Sequence, residues 1–158
     1  MLETIPDKRH QVKRNKEDKK VIWKDKYAIG VEVIDRQHKE LFERFNKFLK
    51  VVRSEHSMEE KIDDIEETFN FMGEYVIAHF QSEEAVQKKY NFPEYERHHQ
   101  IHENFKKDVM EFKRKFEEDK YNEELIMEFS GRILTWLINH VTGEDQKISK
   151  YINRKEEE

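Results

Sequence analysis

Apolar residues along this chain recur at helical spacing in four long stretches. With successive residues turning about 100° around a helix axis, Ile34, Phe42, Phe45, Leu49 and Val52 share one face of the first stretch. Ile65, Met72, Val76 and Tyr90 do so in the second, Phe105, Val109, Phe112 and Phe116 in the third, and Ile126, Phe129, Ile133 and Trp136 in the fourth. Local chemistry sets the boundaries. Asp35 is a candidate cap for the first helix, which ends near "RSEHS". The "SMEE" that begins at Ser57 is a capping box and predicts a helix to about Tyr90, with the Ser57 hydroxyl accepting from an early amide while Glu60 reaches back. "NFP" at 91–93 breaks the chain and places Pro93 in the first turn of a third helix ending near Glu118. Asn122 then caps a last helix that reaches about Asn153. Ahead of the first helix, "VIWKDKYAIGVEV" predicts an extended arm, with Trp23 free to pack across the helices. Long amphipathic helices with short connections predict an all-α, up-down-up-down antiparallel four-helix bundle over 21–158. Residues 1–20 predict a disordered charged tail.

Composition narrows the partners. A chain of 158 residues fits one domain, and only two prolines and four glycines interrupt it. The net charge of -5 argues against nucleic acid, because phosphate binding needs a cationic surface. The first twenty residues carry seven Lys or Arg against four Asp or Glu, which leaves docking to an acidic partner or an anionic membrane surface open. No stretch resembles a signal peptide or approaches the roughly 20 apolar residues that span a bilayer, so a cytoplasmic protein is expected. With no cysteine, any metal must be held by histidine and carboxylate.

Histidines occupy the apolar faces. In "RHHQIHENF", His98 and His102 lie four apart on the face of Phe105 and Phe112, whereas His99 falls about 100° away, toward the surface. His79 and Glu83, four apart in "HFQSE", point inward from the second helix, His38 from the first and His140 from the fourth. A lone inward histidine is more often a hydrogen-bonded core residue than a ligand. Five of them with an inward acid would load one small core with costly polar groups, and a shared cation removes that cost. On the fourth helix, ideal periodicity favours Glu144 as the accompanying acid, about 40° from His140, over Asp145 at about 140°. A π-type bulge around Gly143 would reverse that order, and spacing leaves the choice open. His10 and His56 carry no such argument.

These elements together resemble the hemerythrins, in particular the single-domain bacterial hemerythrins. The matching segments are "GVEVIDRQHKELF" around His38, "HFQSE" at 79–83, "YNFPEYERHHQIHENF" with His98 and His102, and "WLINHVTGED" with His140 and Asp145. The resemblance runs from Trp23 to about Tyr151, and its ordered set of H, HxxxE, HxxxH and HxxxxD is specific, where a lone HxxxH would be weak. Myohemerythrin is itself a standard example of the up-down-up-down bundle, so helix pattern and resemblance agree.

The resemblance implies two non-haem iron ions joined by a solvent-derived oxo or hydroxo bridge. It assigns His98, His102 and His140 to one iron, His38 and His79 to the other, and Glu83 and Asp145 to both, which selects Asp145 over Glu144. Three histidines on one side and two on the other leave a single position open for dioxygen. The implied function is reversible dioxygen binding for storage, carriage, delivery or sensing, rather than catalysis. Phe42, Phe80, Ile101 and Trp136 lie beside these residues and are expected to keep water out, and each ligand's second ring nitrogen is expected to meet an acceptor. The alternative is a di-iron oxidase or peroxidase using the same site. A ferritin-like oxidase would need two Glu-x-x-His pairs, and the helices hold only Glu96 to His99, with Leu137 three before His140.

Overall fold

The computed structural model describes residues 20–158, so the expected tail at 1–20 lies, apart from Lys20, outside the described residues. The described chain is all-helical: α1 spans Glu32–Val52, α2 Met58–Lys89, α3 Tyr95–Glu118 and α4 Glu123–Asn139. A five-residue π segment, His140–Glu144, carries the fourth rod on into α5, Asp145–Glu156. The rods form a ring in which α1 packs on α2, α2 on α3, α3 on α4 and α4 on α1. This is the antiparallel four-helix bundle that the patterning predicts. Among the described residues, no helix is long and apolar enough to cross a membrane.

Helix ends follow the local chemistry with two corrections. The capping box forms as expected: the Glu60 amide donates to Ser57 Oγ at 3.3 Å and the Ser57 amide to Glu60 Oε2 at 3.0 Å. Asn122 caps α4 through the Leu125 amide. Asp35 does not cap α1, which begins three residues earlier at Glu32. Its carboxylate reaches back instead and accepts from the amides of Ile29 (2.7 Å) and Gly30 (3.2 Å), clamping a turn in which Gly30 takes a φ of 85°. Pro93 precedes α3 rather than sitting in its first turn. The cause lies upstream: α2 closes in a Schellman-type end, with Asn91 left-handed at φ 54° and the Phe92 amide donating to the Gln87 carbonyl at 2.9 Å. That turn occupies the residues a longer α3 would need.

The arm is extended apart from one 3-10 turn at Asp25–Tyr27. Asn46 holds it as a strand neighbour would, accepting from the Val21 amide at 2.8 Å and donating to the Val21 carbonyl at 2.7 Å. Trp23 then packs edge-on to Phe42 and Tyr27.

The end of the bundle away from the histidines is aromatic. Phe69 meets Phe48, Phe112, Phe116 and Phe129, with ring centroids 4.8 to 6.0 Å apart, and Phe112 stacks on Phe129 at 3.6 Å. Buried Lys61 adds a polar tie here: its ammonium donates to the carbonyls of Val52 (2.9 Å) and Ser54 (3.2 Å), satisfying the end of α1.

Candidate metal centre

Five imidazoles and two carboxylates meet between the four rods at the opposite end. His38, His79, Glu83, His98, His102, His140 and Asp145 are all buried. Each imidazole presents Nε2 to the shared space. Glu83 Oε1 lies 2.6, 3.5 and 3.7 Å from His98, His102 and His140, while Oε2 lies 3.1 and 3.6 Å from His79 and His38. Asp145 divides the same way: Oδ1 lies 3.3 and 3.1 Å from His98 and His140, and Oδ2 lies 3.1 Å from His38. Each carboxylate thus faces three histidines with one oxygen, or two of them, and the opposite group with the other.

The π segment brings Asp145 here. Its wider turn places residues five apart on one line, and the Asp145 amide donates to the His140 carbonyl, the five-residue bond of a π-helix. Glu144, which ideal periodicity favours, points outward into a two-armed pair with Arg97 at 2.6 and 2.9 Å. Gln146 donates to the carbonyls of Tyr27 and Val141, tying the arm over this turn.

The cluster fits a cation on its own contacts. His38 Nε2, Glu83 Oε2 and both Asp145 oxygens are buried without a hydrogen bond to any described residue, although His38 Nε2 is only 3.1 Å from Asp145. A cation among them would satisfy these atoms together. Two subsets, Glu83 with His98, His102 and His140, and Glu83 with His38 and His79, hold ligand atoms within 4.8 Å of one another, a spacing that could hold a metal ion.

Proton positions support the same reading. The Ser82 hydroxyl donates to the Ala78 carbonyl at 3.0 Å, so its oxygen accepts from the Gln37 amide nitrogen at 3.1 Å. Gln37 Oε1 is left to accept from His79 Nδ1 at 2.9 Å. His79 Nε2 therefore carries the lone pair, and it faces the Glu83 carboxylate: two acceptors 3.1 Å apart with nothing between them to bond. Burial pushes the His79 pKa down against the pull of Glu83, which keeps the ring neutral. On the other side Glu84 Oε1 accepts from His102 Nδ1 (3.0 Å) and His99 Nδ1 (2.8 Å). His102 Nε2 is then also the lone-pair nitrogen, 3.1 Å from His140 Nε2.

Without a metal, protons supply the missing positive charge. Burial opposes charge on His38, His98 and His140, but Asp145 and Glu83 outweigh it and raise the three to about 9, about 9 and about 10. Burial likewise opposes ionisation of Glu83 and Asp145, yet the surrounding imidazoles hold both carboxyls below their ordinary range.

Of the four residues expected beside the ligands, Phe80 stacks on His102 at 3.7 Å and Trp136 on His140 at 4.3 Å, both in the group of three histidines. Phe42 lies behind Trp23, whose ring is 6.4 Å from His38. The expected acceptor on every second ring nitrogen is a correction: Nδ1 of His38 and of His140 is buried with no partner among the described residues. Gln37, Ser82 and Glu84 are the residues that helix faces missed. Their only signal is a polar residue directly beside an inward one, Gln37 before His38 and Glu84 after Glu83. His99 lies at the edge, its side chain 37% exposed, bonded to Glu84 and stacked on Tyr95.

The fold and this cluster define a helical metal-binding protein. The chain belongs to the hemerythrin family: residues 29–152 match the hemerythrin HHE cation binding domain. It is 31% identical over 126 residues to a bacteriohemerythrin of Stenotrophomonas maltophilia, covering 80% of this chain and 77% of the relative. A bacteriohemerythrin of Clostridium acetobutylicum is 30% identical over 129 residues, covering 80% and 96%. A hemerythrin-like protein of Naegleria gruberi is 26% identical over 125 residues, covering 79% and 87%.

Proposed function

We propose that the chain binds dioxygen reversibly at a di-iron centre, with His98, His102 and His140 on one iron, His38 and His79 on the other, and Glu83 and Asp145 shared. The observation that carries this reading is the division of both carboxylates between a group of three imidazoles and a group of two. Iron, when bound, supplies the electrons that hold dioxygen and recovers them on release.

The chain's own residues account for the rest. Unequal donor numbers leave the His38 and His79 side one nitrogen short, so the reactive position belongs there. A small apolar cavity of about 20 Å³ adjoins it, lined by Leu41, Met72, Val76 and Phe80 beside His79. Apart from the proposed ligands His79 and His140, the described residues on that lining carry no ionisable group, so with iron bound proton delivery, and with it irreversible oxidation, is disfavoured. Gln37 fixes the His79 tautomer and Glu84 that of His102, which keeps both Nε2 lone pairs aimed inward.

The oxidase or peroxidase alternative requires proton delivery and turnover. The deciding experiment loads the protein with ferrous iron without air, admits oxygen and then removes it while the visible spectrum is followed. A charge-transfer band that appears and disappears over several cycles is the expected result. Bleaching to a ferric state, or peroxide consumption with a reductant faster than autoxidation, supports the enzyme instead. Docking to an acidic partner or anionic membrane through residues 1–20 is tested by whether a salt-sensitive complex is lost when they are deleted.

A further inference from the structure

Gly73 stands in the middle of α2, where a helix disfavours glycine relative to alanine. Neither backbone nor packing explains it. Its backbone is ordinary helix, and a Cβ added there would meet nothing within 4 Å. What the missing side chain leaves is space: an apolar cavity of about 120 Å³ between α2 and α3, open to the surface beside Ile77 and Met110. Those two are unusually bare for large apolar residues, 45% and 70% exposed.

This cavity leads inward. Met72, Val76, Phe105 and Ile133 line both it and the small cavity beside His79 and His140, so the two are neighbours across shared side chains. Met72 and Val76 lie one turn apart, and His79 continues the same strip of α2. Met72 is unbranched, with three rotatable bonds, and can swing aside where a branched residue could not. Its lining is almost wholly apolar, the surface that small apolar solutes such as xenon prefer to water. Lys106 also lines the cavity, and Glu103 accepts from its ammonium at 2.6 Å.

We infer that the cavity between α2 and α3 is a binding site for small apolar gases and the entry by which dioxygen reaches the His79 side, with Gly73 keeping it open. The entry role rests on the proposed oxygen-binding function; the gas site does not. The competing entry is the wider groove between α3 and α4, which reaches Trp136 and His140 and has Gly131 on its lining. An added Cβ at Gly131 also meets nothing within 4 Å, so the two glycines permit matched variants.

The test uses the full chain and two readouts. Xenon-129 exchange spectroscopy and crystals pressurised with xenon should show xenon in the α2/α3 cavity of the unaltered protein, and Gly73→Leu should remove it. In iron-loaded protein, Gly73→Leu should slow oxygen association and dissociation by a similar factor, about tenfold, without changing the equilibrium affinity; Gly131→Leu should change neither rate. Absence of xenon from the unaltered protein overturns the inference, as do unchanged rates in Gly73→Leu or slowing confined to Gly131→Leu. Should the loaded protein fail to bind oxygen at all, the functional reading falls while the xenon result still decides the gas site.

Discussion

The two ends of the bundle solve burial in opposite ways. At one end Phe48, Phe69, Phe112, Phe116 and Phe129 pack ring against ring, and the buried Lys61 finds carbonyl partners. At the other, five imidazoles and two carboxylates crowd together with several atoms unbonded. The first end contributes stability on its own, since apolar burial and dispersion need no partner. The second is costly until something positive sits among the donors. The difference predicts that folding and metal binding are separable here, with the phenylalanine end carrying the bundle and the histidine end gaining from a cation.

That separation can be broken from either side. The largest effect is expected at the histidine end, where His79→Ala should abolish oxygen binding altogether while the metal-free helix content by circular dichroism stays near that of the parent. Phe69→Ala should do the reverse. It removes the ring that four others touch, so urea unfolding should show a loss of about 3–5 kcal/mol, with the visible spectrum of the loaded protein kept. A smaller change is expected from Gln37→Leu, which frees the His79 tautomer without touching the centre. Iron affinity should fall about 10–100-fold, and Gln37→Glu, which keeps an acceptor, should recover most of it.

The pH response sharpens the comparison further. His38, His98 and His140 have pKa values raised to about 9, 9 and 10, so their contribution to the metal-free protein is complete below about 6.5. It is lost progressively as pH rises toward 9–10, where the folded protein gives up those protons. Glu83 and Asp145, held low, contribute above the ordinary carboxyl range and lose that contribution as acid protonates them. Thermal melts of metal-free protein should therefore fall between pH 6.5 and 10, and bound metal, which takes the protons' place, should flatten that slope. The least effect belongs to His99→Ala: His102 still has Glu84 to itself, so oxygen affinity should move little.

Much of this arrangement was legible in residue spacing. Periodicity marked all four rods, Ser57 and Glu60 marked a helix start, and the faces that bury Phe105 and Ile133 also carry His102 and His140. What stayed hidden has a common physical cause. A helical wheel assumes a uniform turn, so it assigns Glu144 to the interior; the π segment adds a residue and sends Glu144 to Arg97. A wheel also sees one helix at a time. Gln37 reaching His79 from α1, and Glu84 reaching His102 from α2, are contacts between rods that no single face reveals. Asp35 was ambiguous for a local reason, since the same carboxylate can cap its own helix or clamp the turn ahead of it.

The central claim is an unequal pair of irons, three nitrogens on one and two on the other. Anaerobically reconstituted ferrous protein examined by metal analysis together with Mössbauer spectroscopy tests it most directly. Two irons per chain in two distinct ferrous environments of equal weight is the predicted result; fewer than two irons, or a single environment, would contradict the account.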